Sequence, residues 1–200
     1  MEDTYKTIEA PAQGLFKDKG SKFISFAYPV TSENEIREIV LNLKKEHYSA
    51  RHHCYAWRLG PEKLQFRTND DGEPSSTAGK PILGQIQSFD LTNILIVVVR
   101  YFGGTLLGVS GLINAYRNAA HDAILQTLIV EKLVEKRLLV EFDYGAMNEV
   151  MKLFKDEKLQ QIDPVFDLRC SIKTQIRLSE SDRIEEGLKK IEGLKVSHLP

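Results

Sequence analysis

Three short segments of the sequence carry residue types that could do chemistry. They read Arg51-His52-His53-Cys54, Asn69-Asp70-Asp71-Gly72-Glu73 and Arg100-Tyr101-Phe102-Gly103-Gly104. The first offers a thiol and imidazoles, the second carboxylates, and the third a guanidinium followed by glycines. Arg100 ends an apolar run and is expected to lie near the core, where a guanidinium needs a partner. Asp70, Asp71, Glu73 or a bound ligand would supply that partner.

The segment around Cys54 resembles a nucleophile or zinc site but lacks the required spacing. On a strand, His52 and Cys54 face one side and His53 the other, so the three do not bind one ion without a bend. A catalytic cysteine also needs its histidine across space rather than beside it in sequence. The favoured interpretation is that Cys54 fills the core and that one histidine lies at the sheet edge.

The acidic and glycine-rich segments fail the common motif templates. Around Gly72 the acids required by a calcium loop are missing, and an Asp/Asn/Gly turn explains the composition, with a weak magnesium site as the minor alternative. Pro74 and Pro81 stand where a P-loop needs glycine and a hydroxyl residue. The glycines after Arg100 do not form a dinucleotide fingerprint. They either leave amides free for an anion or simply permit a tight turn.

The composition is that of a globular protein without a global affinity for polyanions. The chain has 200 residues, 42% of them hydrophobic, and a formal net charge of −1. Any nucleic-acid site must therefore be a local patch. The two cysteines, Cys54 and Cys170, do not make a disulfide framework. The polar N-terminus is not a signal peptide, and no apolar run has the length of a membrane span. We expect a cytoplasmic protein that does not bind membranes.

Hydrophobic periodicity predicts two domains, residues 1–130 and 131–200. In the first, we expect a hairpin over 14–30, strands over 54–60, 64–68 and 92–101, and helices over 32–46, 82–88 and 109–124. Ser32 and Glu35 form a capping box before the first helix, and residues 69–81 are expected to be a loop. The strand over 92–101 has almost no polar alternation, which indicates a central strand buried on both faces.

The second domain has a different order of elements from the first. Alternation predicts strands over 134–142, 159–166, 168–178 and 194–196, and helices over 147–154 and 179–191. This βαββαβ order is typical of a ferredoxin-like domain.

Basic and aromatic residues are interleaved in the first domain. The basic residues are Lys17, Lys19, Lys22, Arg51, Arg58, Arg67 and Arg100, and the aromatic residues are Tyr55, Trp57, Phe66 and Tyr101. On a sheet face such a set could follow a phosphate backbone and stack bases. An ordinary mixed surface is the alternative that the neutral total charge favours.

Four segments in the first domain resemble the signature blocks of the IMPACT family, including its bacterial YigZ branch. They are KGSKFIS (19–25), RHHCYAWRLG (51–60), TNDDGEPSSTAGKPIL (68–83) and VVVRYFGGTLLGVSGLINAYRNAA (97–120). The matching motif positions are Arg51, His52, Cys54, Asp70, Asp71, Gly72, Glu73, Pro74, Ala78, Gly79, Arg100, Tyr101, Gly103, Gly104, Leu107, Gly108 and Gly111. The resemblance assigns no role to any of them.

The resemblance implies an α+β fold in two parts. The first domain should be an α/β sandwich like the second-domain fold of a small-subunit ribosomal protein, as in the fourth domain of elongation factor G. The second should resemble that factor's ferredoxin-like domains. Eukaryotic members of the family restrain a kinase that shuts down translation initiation, but they carry a different extra N-terminal domain, so that partner is not transferred. The resemblance implies no enzymatic activity.

Two functional hypotheses follow. The first is a non-enzymatic regulatory protein that binds RNA, the ribosome or a translation factor through the first domain. The alternative is a small-molecule enzyme or anion-binding protein with a cleft between the Asp70–Glu73 loop and the Arg100–Gly108 turn. Neither hypothesis requires a resident metal or cofactor. The candidate binding residues are Lys22, Arg51, His52, Asp70, Asp71, Glu73, Arg100, Tyr101, Gly103, Gly104 and Gly108.

Overall fold

The computed structural model describes residues 3–199, which divide into two compact units. The first unit spans Tyr5–Lys132, and the second begins at Leu133 and also includes Asp3 and Thr4. Each unit has its own hydrophobic core. No helix in the described part of the chain combines the length and the apolar character that crossing a membrane requires.

The first unit is built on a five-stranded antiparallel sheet. Its elements in chain order are β1 (Thr4–Ile8), β2 (Ala12–Asp18), β3 (Ser21–Pro29), α1 (Glu33–Glu46), β4 (His52–Leu59), β5 (Gln65–Asn69), α2 (Gly79–Ser88), β6 (Ile94–Tyr101), α3 (Gly108–Leu125) and β7 (Ile129–Leu133). The strand order in the sheet is β2-β3-β6-β4-β5. Strands β1 and β7 pair with each other in a separate two-stranded sheet.

Strand β6 is the centre of the sheet, as its continuous apolar run predicts. All residues from Ile94 to Val99 are fully buried. Because side chains alternate along a strand, Ile94, Ile96 and Val98 pack into the core beneath α2 and α3. Leu95, Val97 and Val99 pack on the α1 side. The same alternation continues to the end of the strand. It directs Arg100 towards the α2–α3 face and Tyr101 towards the α1 face.

The helix boundaries follow the capping groups. One half of the predicted capping box at α1 is present, since Ser32 Oγ accepts from the Glu35 amide at 3.3 Å. In return the Glu35 carboxylate accepts from the Thr31 amide at 2.9 Å rather than from that of Ser32. Helix α2 begins at Gly79 rather than at residue 82, so the predicted loop 69–81 is shorter than expected. Its start is capped from outside the helix, because Asp70 Oδ1 accepts from the Ala78 and Gly79 amides at 3.1 and 2.8 Å.

The second unit has the element order that alternation predicts. Its elements are β8 (Glu135–Asp143), α4 (Met147–Asp156), β9 (Ile162–Val165), β10 (Arg169–Arg177), α5 (Ser181–Lys189) and β11 (Lys195–Leu199). The four antiparallel strands are arranged β11-β8-β10-β9. Cys170, Ile172, Thr174 and Ile176 point from β10 into the core, and the residues between them are at least partly exposed. One face of this sheet is therefore buried.

Candidate functional site

The motif segments meet around a cavity in the first unit. Its volume is about 860 Å³, and its lining comes from the start of β4, the loop before α2, the end of β6 and the start of α3. The polar lining residues include Arg51, His52, Glu73 and Arg100, and the apolar ones include Leu106 and Val109. The fold thus places the Asp70–Glu73 loop and the Arg100–Gly108 turn on the same side of the unit.

Glu73 is the partner that the sequence left open for Arg100. Arg100 Nη1 donates to Glu73 Oε1 at 2.6 Å, and the two side chains are only 7% and 3% exposed. The Tyr116 hydroxyl donates to the same oxygen at 2.7 Å. The guanidinium carbon lies 5.5 Å from the centroid of the Phe23 ring and 5.6 Å from that of Phe102. Arg100 is therefore held by a buried ion pair and by two aromatic rings.

Asp70 and Asp71 hold the loop rather than line the cavity. Asp70 accepts the amides of Ser76, Ala78 and Gly79 and so caps α2. Asp71 Oδ1 accepts from Lys44 Nζ at 2.9 Å, and Oδ2 accepts from the His53 amide at 2.7 Å. Neither acid lines the cavity and their oxygens accept from protein donors, so their role in a cleft stays a prediction that this geometry does not favour. Within residues 3–199 there is no group of three or more His, Cys, Asp or Glu side chains placed to hold a metal ion.

The bonds to Asp71 make the stability of the first unit depend on pH. Partial burial acts to raise the pKa of Asp71, but the hydrogen bonds from Lys44 and from the His53 amide outweigh burial and hold the pKa below its usual value. The stabilisation is therefore complete above the unfolded pKa of about 3.9 and is lost as the pH falls through the lower folded value.

We expect Asp71→Asn to be less stable than the wild type near neutral pH, and the difference to shrink as the pH falls. Urea unfolding followed by the fluorescence of Trp57, the single tryptophan, measures this between about pH 6 and about pH 2.5. Glu38→Gln, on the exposed face of α1, is the control and should leave the pH dependence unchanged. A constant difference between Asp71→Asn and the wild type over this range would contradict the assignment.

Cys54 is a core residue, as the sequence analysis favoured over a nucleophile or a zinc ligand. It is fully buried, and its Sγ lies 3.0 Å from the Asp70 carbonyl oxygen and 3.3 Å from the Tyr116 hydroxyl. Burial raises the pKa of the Cys54 thiol far above its usual range, so the nucleophilic thiolate is disfavoured. Burial also lowers the pKa of His53. Its Nε2 lies 3.2 Å from the His47 carbonyl oxygen, on the α1 side of the sheet.

His52 lies at the cavity with one ring nitrogen already in use. Its Nδ1 is 2.9 Å from the carbonyl oxygen of Asp71, which only accepts, so Nδ1 carries the proton of this hydrogen bond. Nε2 is then the nitrogen that remains for another partner.

The two glycines after Phe102 shape the turn and do not line the cavity. A Cβ on Gly103 would lie 2.0 Å from the backbone carbon of Gly20, and the Gly103 amide donates to Ser21 Oγ at 3.1 Å. Gly104 has a φ of +87°, which favours glycine. Of the two alternatives for these glycines, the tight turn is the one that the geometry of Gly103 favours, since its amide already donates to Ser21. Gly108, the first residue of α3, does line the cavity.

Lys22 and Tyr101 lie on a neighbouring groove. Both line a second depression of about 400 Å³ together with Gly20, Ile24 and Phe102. The Tyr101 hydroxyl is 2.8 Å from His47 Nδ1, so this side chain is held on the α1 face although its residue also borders the larger cavity. Trp57, which the sequence suggested as a stacking residue, is buried and unavailable for stacking.

Sequence reasoning missed the apolar residues at the mouth of the cavity. Phe102, Leu106 and Val109 are 56%, 82% and 59% exposed, and all three line it. Their signal in the sequence is that Phe102 and Leu106 are large apolar residues between β6 and α3, and that Val109 stands at the start of the predicted helix. Tyr116 lies within the helix predicted over 109–124, and its hydroxyl donates to Glu73 Oε1 beside Arg100.

The fold and the site define a two-unit α/β chain. Its first unit carries a buried polar cluster of Glu73, Arg100 and Tyr116 beside the cavity. The family model for the IMPACT N-terminal domain matches residues 19–124, which contain every residue of that cluster. The chain belongs to the IMPACT family, and its relatives include members of the YigZ branch.

Similar proteins extend this match beyond the first unit. The Escherichia coli IMPACT family member YigZ is 38% identical over 146 residues, which are 72% of this chain and 72% of that protein. The Bacillus subtilis family member YvyE is 28% identical over 188 residues, 94% of this chain and 87% of that protein. A crystal structure described as a hypothetical protein is 26% identical, with a TM-score of 0.75 over 100% of this chain and 99% of the other.

Proposed function

We propose that this chain is a non-enzymatic regulatory binding protein of translation that acts on RNA, the ribosome or a translation factor through its first unit. Of these partners we favour single-stranded RNA. Membership of the IMPACT family supports the link to translation. We further propose that the first unit has the fold of the fourth domain of elongation factor G and that the second unit is ferredoxin-like, as its βαββαβ order suggests. Both units would then resemble domains that work on the ribosome.

The observation that carries the RNA proposal is the position of Phe102. Its exposed ring borders the Lys22 groove on one side and the cavity lined by Arg51 and Arg100 on the other. An aromatic ring flanked by cations is the arrangement that binds a single strand, because the ring stacks a base and the cations bind the adjoining phosphates. The neutral total charge is compatible with such a site, since only a local patch is needed.

The cavity is consistent with the enzymatic alternative, but the candidate catalytic groups beside it are buried or already bonded. The thiol of Cys54 is buried, Asp70 and Asp71 are occupied by loop hydrogen bonds, and Glu73 is paired with Arg100. A general base or nucleophile must reach the substrate with an available lone pair. We therefore favour binding over catalysis as the function of this site.

Removal of the Phe102 ring should weaken RNA binding. A stacked base contributes about 1–3 kcal/mol, so we expect Phe102→Ala to raise the Kd for a short uridine oligonucleotide by about fivefold to about 150-fold. Fluorescence anisotropy at low salt measures the Kd. Phe66→Ala is the matched control, because Phe66 is 54% exposed on β5 of the same unit and lines neither depression. Equal affinities for the two variants would contradict the stacking role.

Lys22 should contribute a phosphate contact and therefore a salt dependence. For a single strand, each neutralised phosphate adds about −0.7 to the slope of log K against log salt concentration, so Lys22→Ala should make the slope shallower by about that amount. Lys45→Ala, at an exposed site on α1, should leave it unchanged. If the wild type binds no RNA at low salt, or if both lysine variants behave alike, the proposal fails.

A further inference from the structure

The cavity beside Arg100 has the size and the lining of a small-molecule site. Its volume of about 860 Å³ lies within the range of about 300–1,000 Å³ that ligand pockets occupy. Leu106, Val109 and Leu112 supply an apolar wall, while Arg51 and Arg100 supply the cationic groups. An apolar wall with a few converging polar groups is the usual composition of such pockets.

Arg100 has hydrogen-bonding capacity that the protein leaves unused. Its side chain is 7% exposed, and Nη1 is bonded to Glu73. Nε is buried without an acceptor, and Nη2 makes no hydrogen bond to any residue between 3 and 199. A buried donor without a partner costs stability, so its presence needs an explanation. Nε is closed off from the cavity, whereas Nη2 belongs to a side chain that lines the cavity and is free to donate to an anion bound there.

The charges around the cavity favour an anion with a single charge. Arg51 is exposed at the rim and has no ion-pair partner in the described part of the chain. The guanidinium groups of Arg51 and Arg100 contribute two positive charges and Glu73 one negative charge, which leaves one net positive charge. A monoanion balances this charge, whereas a doubly charged phosphate ester would also be repelled by the Glu73 carboxylate.

We propose that this cavity binds a small monocarboxylic acid with an apolar tail. The carboxylate bonds to Arg51 at the rim and to Nη2 of Arg100, and the tail packs against Leu106, Val109 and Leu112. This is a binding site for a small molecule, distinct in its ligand from the proposed RNA contact, and it requires no RNA. Because Arg51 and Arg100 line the cavity that both proposals use, a bound acid competes with RNA for these cations.

Octanoate is a suitable probe, with octanol and octyl phosphate as matched ligands. Titration of the ¹⁵N-labelled full chain, without RNA, should give saturable amide shifts at residues 51–52 and 106–112. The tail alone binds weakly, so we expect octanoate to bind at least about tenfold more tightly than octanol, and more tightly than octyl phosphate. Equal affinity for octanoate and octanol, or shifts confined to other residues, would overturn the proposal.

Two pairs of variants locate the site. Leu106→Asp places a negative charge at the wall and should raise the Kd for octanoate by about tenfold or more, while Leu41→Asp, also exposed but on α1, should not. Arg51→Gln should reduce the preference for octanoate over octanol, and Arg37→Gln on α1 should not. If Leu41→Asp weakens binding as much as Leu106→Asp does, the cavity is not the site. Since RNA is absent throughout, a failure of the RNA proposal leaves this result unaffected.

Discussion

Replacement of Glu73 with alanine is expected to lower the free energy of unfolding of the first unit by about 3–5 kcal/mol, because it leaves the buried Arg100 guanidinium without a counterion. The same change removes the acceptor of the buried Tyr116 hydroxyl, which adds to the loss. Trp57 is the only tryptophan and lies in the first unit, so its fluorescence during urea unfolding reports on this unit. The loss in free energy of unfolding that this signal measures therefore belongs to the first unit.

Three further variants identify the cause of that loss. Glu73→Gln keeps an acceptor for Tyr116 but removes the charge, so its loss should be intermediate. Combining Glu73→Ala with Arg100→Met should recover part of the loss, because no uncompensated charge remains and a methionine packs well between Phe23 and Phe102. Glu46→Ala, whose side chain is 70% exposed, is the control. A loss below about 1 kcal/mol for Glu73→Ala would show that the pair does not hold the cluster.

Gly103→Ala is expected to destabilise the first unit by about 2–4 kcal/mol, since the new methyl group overlaps backbone that has no flexible side chain to move aside. Its carbon would lie 2.0 Å from the Gly20 carbonyl carbon and 2.2 Å from the Ser21 nitrogen. To relieve this overlap, the end of β6 must move away from the β2–β3 turn, which also breaks the bond from the Gly103 amide to Ser21 Oγ. Urea unfolding with the Trp57 signal measures the loss.

Gly84→Ala is a control for which we expect no loss in the free energy of unfolding, or a gain. Gly84 lies inside α2, and a Cβ there meets no atom within 4 Å. Alanine is favoured over glycine in a helix by about 1 kcal/mol, so this variant should be as stable as the wild type or more stable. If Gly103→Ala and Gly84→Ala behaved alike, the close approach of the Phe102–Gly104 turn to Gly20 would be refuted.

Parts of the fold that depend on local pattern could be predicted from the sequence. The apolar run of β6 indicated a strand buried on both faces, and the perfect alternation of β10 indicated a strand with one wet face. The capping box located the start of α1. In each case the residues that determine the element lie within it or next to it, so periodicity contains the necessary information.

Features that depend on distant contacts could not be predicted in this way. Helix α2 starts at Gly79 because the carboxylate of Asp70 caps it, and nothing in the residues at the cap position itself indicates this. The pairing of β1 with β7 joins two five-residue strands from opposite ends of the first unit. Neither strand has an alternation long enough to be recognised by itself.

In the candidate site, too, the sequence indicated what local pattern determines but not what distant contacts determine. The sequence indicated that Arg100 needs a partner, but it offered three carboxylates within four residues. The loop backbone decides among them, because positive φ values of 40° at Asp71 and 86° at Gly72 turn the chain so that only Glu73 reaches the core. Phe102 was overlooked because its importance comes from its position between two depressions, which only the assembled sheet defines.

Mapping RNA contacts by NMR tests the central claim that one face of the first unit is the binding surface. Titration of the ¹⁵N-labelled full chain with a short uridine oligonucleotide at low salt should shift the amides of residues 20–24, 51–52 and 100–104 most strongly. These segments are far apart in sequence and border Phe102 in the fold. The account would be contradicted if the strongest shifts were found on β5 or in the second unit, or if no saturable shift were seen.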